Sequence, residues 1–133
     1  MILGIGIDTV QIPRIEKILE KDSDLFIKNY FGTEEIAKYD SIKNVPQKYA
    51  TKIAKLFAAK EAFVKALGTG FRFGIELKDI QVVSNELGAP KIKLGQSVTT
   101  YIEKTFPNHK DFKYHISLSD DYPIGTAFVI IEY

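Results

Sequence analysis

The sequence predicts an α+β fold in one domain, residues 1–133, and three observations lead there. The chain opens on an alternating strand pattern, Ile2 to Ile7, and closes on a hairpin pattern, Phe112 to Tyr133. Between them runs one long helical pattern, from about Gln47 to Leu67. Length and composition agree: 133 residues at 45% hydrophobic and 26% charged suffice for one buried core and are too few for two.

In chain order, Ile2 to Ile7 places Leu3, Ile5 and Ile7 on one side of a strand and Gly4, Gly6 and Asp8 on the other. The glycines are expected to leave open space beside Asp8. Pro13 suits a first helical turn, and Ile12, Ile15 and Leu19 follow at helical spacing, so an amphipathic helix is expected over about Pro13 to Lys21. Arg14, Lys17 and Lys21 line another face of it. Thr33, followed by Glu34 and Glu35, reads as the N-cap of a short helix ending near Tyr39 to Ile42. Pro46 opens the long helix, and Gly68 and Gly70 end it. Its apolar arc holds Ile53, Leu56, Phe57, Phe63, Val64 and Leu67, with Ala50, Ala54 and Ala58 in a column under Glu61. A helix apolar over most of its circumference is buried on more than one side, either centrally in the domain or at a subunit interface. Beyond Gly74, Leu77 to Ser84 and Lys91 to Leu94 read as strands joined through Asn85 to Gly88, and Val98, Tyr101, Ile102 and Phe106 mark a last helix. In the closing hairpin, Phe112, Tyr114, Ile116 and Leu118 alternate with polar residues, and Asp120 to Pro123 forms the break.

Composition removes several chemistries. No cysteine occurs, which excludes disulfides, thiolate zinc sites, iron–sulfur clusters and a cysteine nucleophile. Eighteen basic residues against seventeen acidic give a net charge of +1, against wholesale binding of nucleic acid or anionic lipid. The N-terminal residues lack the basic flank and apolar length of a secretory signal, and no run of about 18 apolar residues could span a bilayer, so a cytoplasmic protein is expected. Thr9 stands where a dinucleotide fingerprint beginning Gly4-Ile5-Gly6 needs its third glycine, and Gly68-Thr69-Gly70 lacks the ending of a phosphate loop. Ser117, His115 and Asp120 fall on one strand end with no nucleophile elbow.

What stands out is acidic. Asp8 leaves a strand next to two glycines, and Glu61 interrupts a nearly all-apolar helix. Oxygen ligands without thiolates suit Mg²⁺, which takes one or two carboxylates plus substrate phosphates. The plainer readings are an i,i+4 pair of Glu61 with Lys65 and an N-cap role for Asp8. Lys60 projects into the apolar arc, where it must snorkel or find an anion. With Lys65 one turn beyond Glu61, the two lysines beside a Gly-Thr-Gly turn suit a phosphate-bearing ligand. His115 reads as a structural hydrogen-bonding residue rather than a base.

Five segments together carry a resemblance. Gly4-Ile5-Gly6-Ile7-Asp8, Ile12-Pro13-Arg14-Ile15-Glu16, the long block Phe57-Ala58-Ala59-Lys60-Glu61-Ala62-Phe63-Val64-Lys65-Ala66-Leu67-Gly68-Thr69-Gly70, Gly88-Ala89-Pro90 and His115-Ile116-Ser117-Leu118-Ser119 resemble the holo-[acyl-carrier-protein] synthases from end to end. The resemblance implies a phosphopantetheinyl transferase fold, an antiparallel sheet packed with a long central helix. It also implies transfer of the 4′-phosphopantetheine arm of coenzyme A to a serine of apo acyl carrier protein, releasing adenosine 3′,5′-bisphosphate, in support of fatty acid biosynthesis. Carried over by position, Asp8 and Glu61 would hold Mg²⁺, with Mn²⁺ as the alternative, and together with Lys65 would be catalytic. Lys60, Lys65, Gly68, Thr69, Gly70 and Ser117 would contact coenzyme A, and Arg14 with Lys17 and Lys21 would receive the carrier protein. The family is typically a homotrimer with sites between subunits, which would account for the apolar circumference of the long helix.

Two positions depart from that pattern. Leu56 stands where the family often has an arginine that meets the 3′-phosphate of coenzyme A, with Lys55 one residue earlier, and Asp120 stands where some members have histidine. The competing class is a non-catalytic module that holds a phosphorylated ligand or docks an acidic protein through Arg14, Lys17 and Lys21.

Overall fold

The computed structural model describes residues 1–70 and 72–133. Strand β1 (Ile2–Gln11) pairs with β5 (Ile124–Glu132), and β5 with β4 (Lys113–Asp121), giving an antiparallel sheet in the order β1-β5-β4. The alternation expected of β4 holds, with Tyr114, Ile116 and Leu118 half-buried between exposed Lys113, His115, Ser117 and Ser119, and the mostly apolar β5 alternates as well. Ala127, Val129 and Ile131 of β5 are fully buried, while Phe128 between them is exposed. A second, two-stranded sheet joins β2 (Ile80–Ser84) to β3 (Pro90–Leu94) through a turn at Asn85 to Gly88, and a 3₁₀ turn, Leu77–Asp79, precedes it.

The helices are α1 (Ile12–Tyr30), α2 (Thr33–Tyr39), α3 (Pro46–Leu67) and α4 (Gln96–Thr105). Helix α1 runs nine residues beyond the expected end at Lys21, but Asp22 breaks its geometry at φ −139°, ψ 49°. The polar run Asp22-Ser23-Asp24 hides the continuation, whose Phe26 and Ile27 return to the core. The N-cap of α2 is Gly32 rather than Thr33, and the Glu35 carboxylate accepts a hydrogen bond from the Gly32 N–H at 3.1 Å. Gly68 ends α3 in the left-handed region at φ 75°.

Helix α3 packs on β1, β5 and β4 with one side and on α1 and β2 with the other. Its apolar circumference is therefore buried within the chain, and the expectation that a subunit interface explains it is corrected. The apolar surface left over lies elsewhere: Ile5 and Ile7 are each 56% exposed on the outer face of the sheet, in register with Ile130 and Phe128. No helix among the described residues is long and apolar enough to cross a membrane.

Gly4 and Gly6 do not leave open space. A Cβ on Gly4 would lie 1.9 Å from the Ala66 carbonyl oxygen, and one on Gly6 would lie 1.8 Å from that of Ala62. The glycines admit the backbone of α3 onto β1, and the helix fills the room the sequence leaves.

Candidate active site

The close approach of β1 to α3 fixes what stands beside Asp8. Two strand residues advance about 6.6 Å and one four-residue helical step about 6 Å, so the two backbones keep pace. Gly4 meets Ala66 and Gly6 meets Ala62. The next inward-facing strand residue, Asp8, therefore reaches the turn from Ala58 to Glu61. Lys65, one turn beyond Glu61, donates to Asp8 Oδ1 at 2.8 Å and to the Ile7 carbonyl oxygen at 3.0 Å.

Burial first, and then the charge of Asp8, push the Glu61 carboxyl above its ordinary value, while Lys65 pulls it down. Two carboxylates near enough to influence each other, with one ammonium between their charges, suit a further cation. No group of three or more His, Cys, Asp or Glu side chains gathers among the described residues, so a protein-only cage is absent there. Mg²⁺ fits this donor set, because it accepts one or two carboxylates and completes its shell with water and phosphate oxygens.

Glu61 faces a cavity of about 710 Å³ whose wall includes Lys28, Tyr30, Phe57, Leu77 and Lys78. Sequence reading missed both lysines. Lys28 lies past the point where the first helix was expected to stop, and Lys78 sits in the 3₁₀ turn, with no local pattern to mark it. A cavity of about 600 Å³ between α1 and the start of α3, lined by Glu16, Glu20, Lys43 and Tyr122, contains neither Asp8 nor Glu61.

The other expected ligand contacts divide. Arg14, Lys17 and Lys21 are all exposed on α1, before the break at Asp22. Gly68 and Gly70 both take left-handed φ just beyond α3, whereas Thr69 is buried and donates its hydroxyl to the Gly70 carbonyl oxygen at 2.9 Å. Ser117 is exposed on the outer sheet face, in register with Phe128 and, through it, with Ile7. Within one chain it points away from Asp8 and Glu61. His115 lies on the same outer face, its Nε2 3.2 Å from Glu132, and holds that carboxyl below its ordinary value through a hydrogen bond.

Lys60 is not a ligand contact. Its side chain is 0% exposed, and Nζ donates to Glu35 Oε1 at 2.6 Å, to the Leu77 carbonyl at 3.3 Å and to the Ile80 carbonyl at 2.5 Å. Glu35 Oε2 accepts from the Val82 N–H at 3.1 Å. Burial holds the ammonium below the ordinary lysine value, and Glu35 works against that. The anion that this lysine needs belongs to the protein itself.

The two departures also find places. Leu56 is only 2% exposed and belongs to the core. Lys55 instead pairs with Asp120 at 2.5 Å, at the edge of a cavity of about 420 Å³ that Lys48 and Lys52 also line. Burial, and next the charge of Lys55, hold the Lys52 ammonium below its ordinary value.

The three-stranded antiparallel sheet packed on a long helix, with Asp8 and Glu61 near their contact, defines the class as an α+β domain with a pair of carboxylates at its sheet–helix junction. The chain belongs to the 4′-phosphopantetheinyl transferase superfamily, whose model matches residues 4–127. Among its relatives is the holo-[acyl-carrier-protein] synthase of Zymomonas mobilis, 45% identical over 133 residues, covering 99% of this chain and 97% of that protein. The enzyme of the same name from Bartonella bacilliformis is 43% identical over 132 residues, 99% of this chain and 96% of its own length. In three dimensions the chain matches the Neisseria meningitidis holo-[acyl-carrier-protein] synthase with a TM-score of 0.84 at 32% identity, over 100% of both chains. It matches the Helicobacter pylori synthase in complex with coenzyme A with a TM-score of 0.76 at 29% identity, over 96% of this chain and 99% of that one.

Proposed function

We infer that this chain transfers the 4′-phosphopantetheine arm of coenzyme A to a serine of apo acyl carrier protein, leaving adenosine 3′,5′-bisphosphate. The observation that carries this reading is the meeting of Asp8 with Glu61 across the β1–α3 contact, with Lys65 on Asp8. In the reaction the serine oxygen bonds to the β-phosphorus of coenzyme A, the bond from that phosphorus to the bridging oxygen breaks with its electron pair leaving on adenosine 3′,5′-bisphosphate, and the serine hydroxyl proton passes to water. Asp8 and Glu61 hold Mg²⁺, or Mn²⁺ in its place, and the cation supplies neutralisation of the pyrophosphate charge. Lys65 and the Gly68 to Gly70 turn orient the phosphates, and the work of these residues is positioning and charge compensation rather than covalent chemistry.

Arg14, Lys17 and Lys21 receive the acidic carrier protein on the exposed face of α1, and rim charges of that kind act mainly on association. The apolar outer face of the sheet, with Ile5, Ile7 and Phe128, supports a homotrimer. In that assembly Ser117, which faces away from its own chain's carboxylates, serves the site of a neighbouring copy. Coenzyme A and carrier protein are soluble substrates, and the cytoplasm is where this chain meets them.

The test is incubation with coenzyme A, Mg²⁺ and apo carrier protein, followed by intact mass. Gain of one phosphopantetheine arm is expected, with loss of transfer in Asp8→Asn and Glu61→Gln, both nearly isosteric. A carrier protein of unchanged mass would instead mark a module that holds the phosphorylated ligand without reacting.

A further inference from the structure

Strand β1 lies at the edge of its sheet, so half of its carbonyls have no strand partner. The Ile7 carbonyl accepts from Lys65 Nζ at 3.0 Å, and the same ammonium sits 2.8 Å from Asp8 Oδ1. This lysine is held lightly. Its side chain is 52% exposed while that of Asp8 is 16% exposed, so the carboxylate stays in place and the four-carbon stem is free to swing about a Cα fixed in the last turn of α3. Lys65 follows Glu61 by one helical turn, so a cation held by Glu61 and Asp8 would lie beneath the ammonium.

We propose that Lys65 is the resident counter-ion of Asp8 and competes with the divalent cation for it, so that cation binding turns the ammonium out towards the incoming phosphate. This rests on the reading of Asp8 and Glu61 as cation ligands. A carboxylate that held Mg²⁺ would share its negative charge with the cation, and an ammonium beside the same group would be repelled by that cation. The lysine released in this way carries three donors and a full charge, next to the place where phosphate oxygens arrive. Cation and phosphate ester then bind cooperatively, because the first frees the group that grips the second.

The experiment uses Mn²⁺ alone, counted by electron paramagnetic resonance on the full chain without coenzyme A. Lys65→Met keeps the stem and removes the competitor, and it is expected to tighten Mn²⁺ binding about two- to fivefold, the range of a partly exposed ion pair. Lys28→Met removes the same charge from the wall of the cavity that Glu61 faces and serves as control for general electrostatics, so its effect should be clearly smaller. In ¹³C-lysine spectra, the Lys65 ε-methylene signal should move on Mg²⁺ addition with the midpoint of the binding curve. Equal or weaker Mn²⁺ binding by Lys65→Met, an effect matched by Lys28→Met, or a Lys65 signal that ignores saturating Mg²⁺ overturns the exchange. Asp8→Asn separates the two levels: Mn²⁺ binding that survives it removes the cation-site reading itself. Loss of binding in Asp8→Asn without tightening in Lys65→Met defeats the exchange alone.

Discussion

Replacing Lys60 by Met tests the innermost charge of the domain. The ammonium is fully buried and serves Glu35, the Leu77 carbonyl and the Ile80 carbonyl, so Lys60→Met leaves an unpaired carboxylate and two carbonyls that no longer receive its proton donors. Breaking a buried pair from one side typically costs about 3–5 kcal/mol, out of about 5–15 kcal/mol for a whole domain. At about 2.1 cal/mol/K of unfolding entropy per residue, that loss over 133 residues lowers Tm by about 11–18 °C. Glu35→Gln in the same chain removes the orphaned charge, so the double variant should be more stable than Lys60→Met alone. It should not reach the parent, because a side-chain amide in place of the Glu35 carboxylate cannot accept at both ends, as Glu35 does for Gly32 and Val82. Urea denaturation followed by circular dichroism, checked by calorimetry, measures all three chains. A cost below about 1 kcal/mol for Lys60→Met, or a double variant no better than the single, refutes the view of this pair as a closed ionic clasp. Because Lys60 touches no ligand, the folded fraction of Lys60→Met should keep a Michaelis constant for coenzyme A nearer the parent value than Lys65→Met does.

Three further outcomes follow from the same geometry. Gly6→Ala drives a Cβ to within 1.8 Å of the Ala62 carbonyl oxygen, so β1 and α3 must separate; the cost is about 3 kcal/mol or more, and a parental melting temperature would contradict the close contact. Glu61 has its folded-state value raised above 4.5, so ionising it opposes folding at neutral pH. In chelator, Glu61→Gln should therefore be more stable than the parent at pH 7, with the advantage shrinking as pH falls through the raised value towards 4.5, whereas an advantage that grows on acidification would have the wrong sign. If the proposed homotrimer uses the outer sheet face, the parent should weigh about three 15.0 kDa chains in light scattering and Ile7→Asp should give monomers with the circular dichroism intact; a monomeric parent refutes the assembly, and an unchanged mass in Ile7→Asp refutes this face as its interface.

Local periodicity made most of the fold legible. The first strand of the closing hairpin announces itself by alternation and the second by its apolar run after the break at Asp120 to Pro123, and α3 by its apolar arc between Pro46 and Gly68, because these patterns are set within a few residues. Features that depend on distant partners were hidden. Lys60 and Glu35 are 25 residues apart, so nothing near Lys60 says whether its anion is a ligand or the protein. The second half of α1 was missed because Asp22-Ser23-Asp24 reads as an end, and only packing of Phe26 and Ile27 in the core holds the chain helical beyond the break. Ser117 differs: alternation with Tyr114, Ile116 and Leu118 already put it on the polar face of its strand, away from the carboxylates of its own chain.

Asp8 and Glu61 were legible because each breaks the pattern of its own element, yet the reason they meet is carried by the glycines, and the sequence invites a wrong account of them. Spacing of two along the strand and four along the helix turns Gly4-x-Gly6-x-Asp8 into a ruler laid against Ala66, Ala62 and the turn that starts at Ala58. Any side chain at Gly4 or Gly6 would push the helix backbone outward and carry Glu61 away from Asp8 with it. A slip of one residue in β1 would be worse, because it would send Asp8 to the outer face beside Phe128 of β5 and turn the β-branched Ile5 and Ile7 against α3. The glycines therefore act on the carboxylate pair through register and distance rather than through empty space. Small residues in that stretch are as much a requirement of the site as the acids themselves.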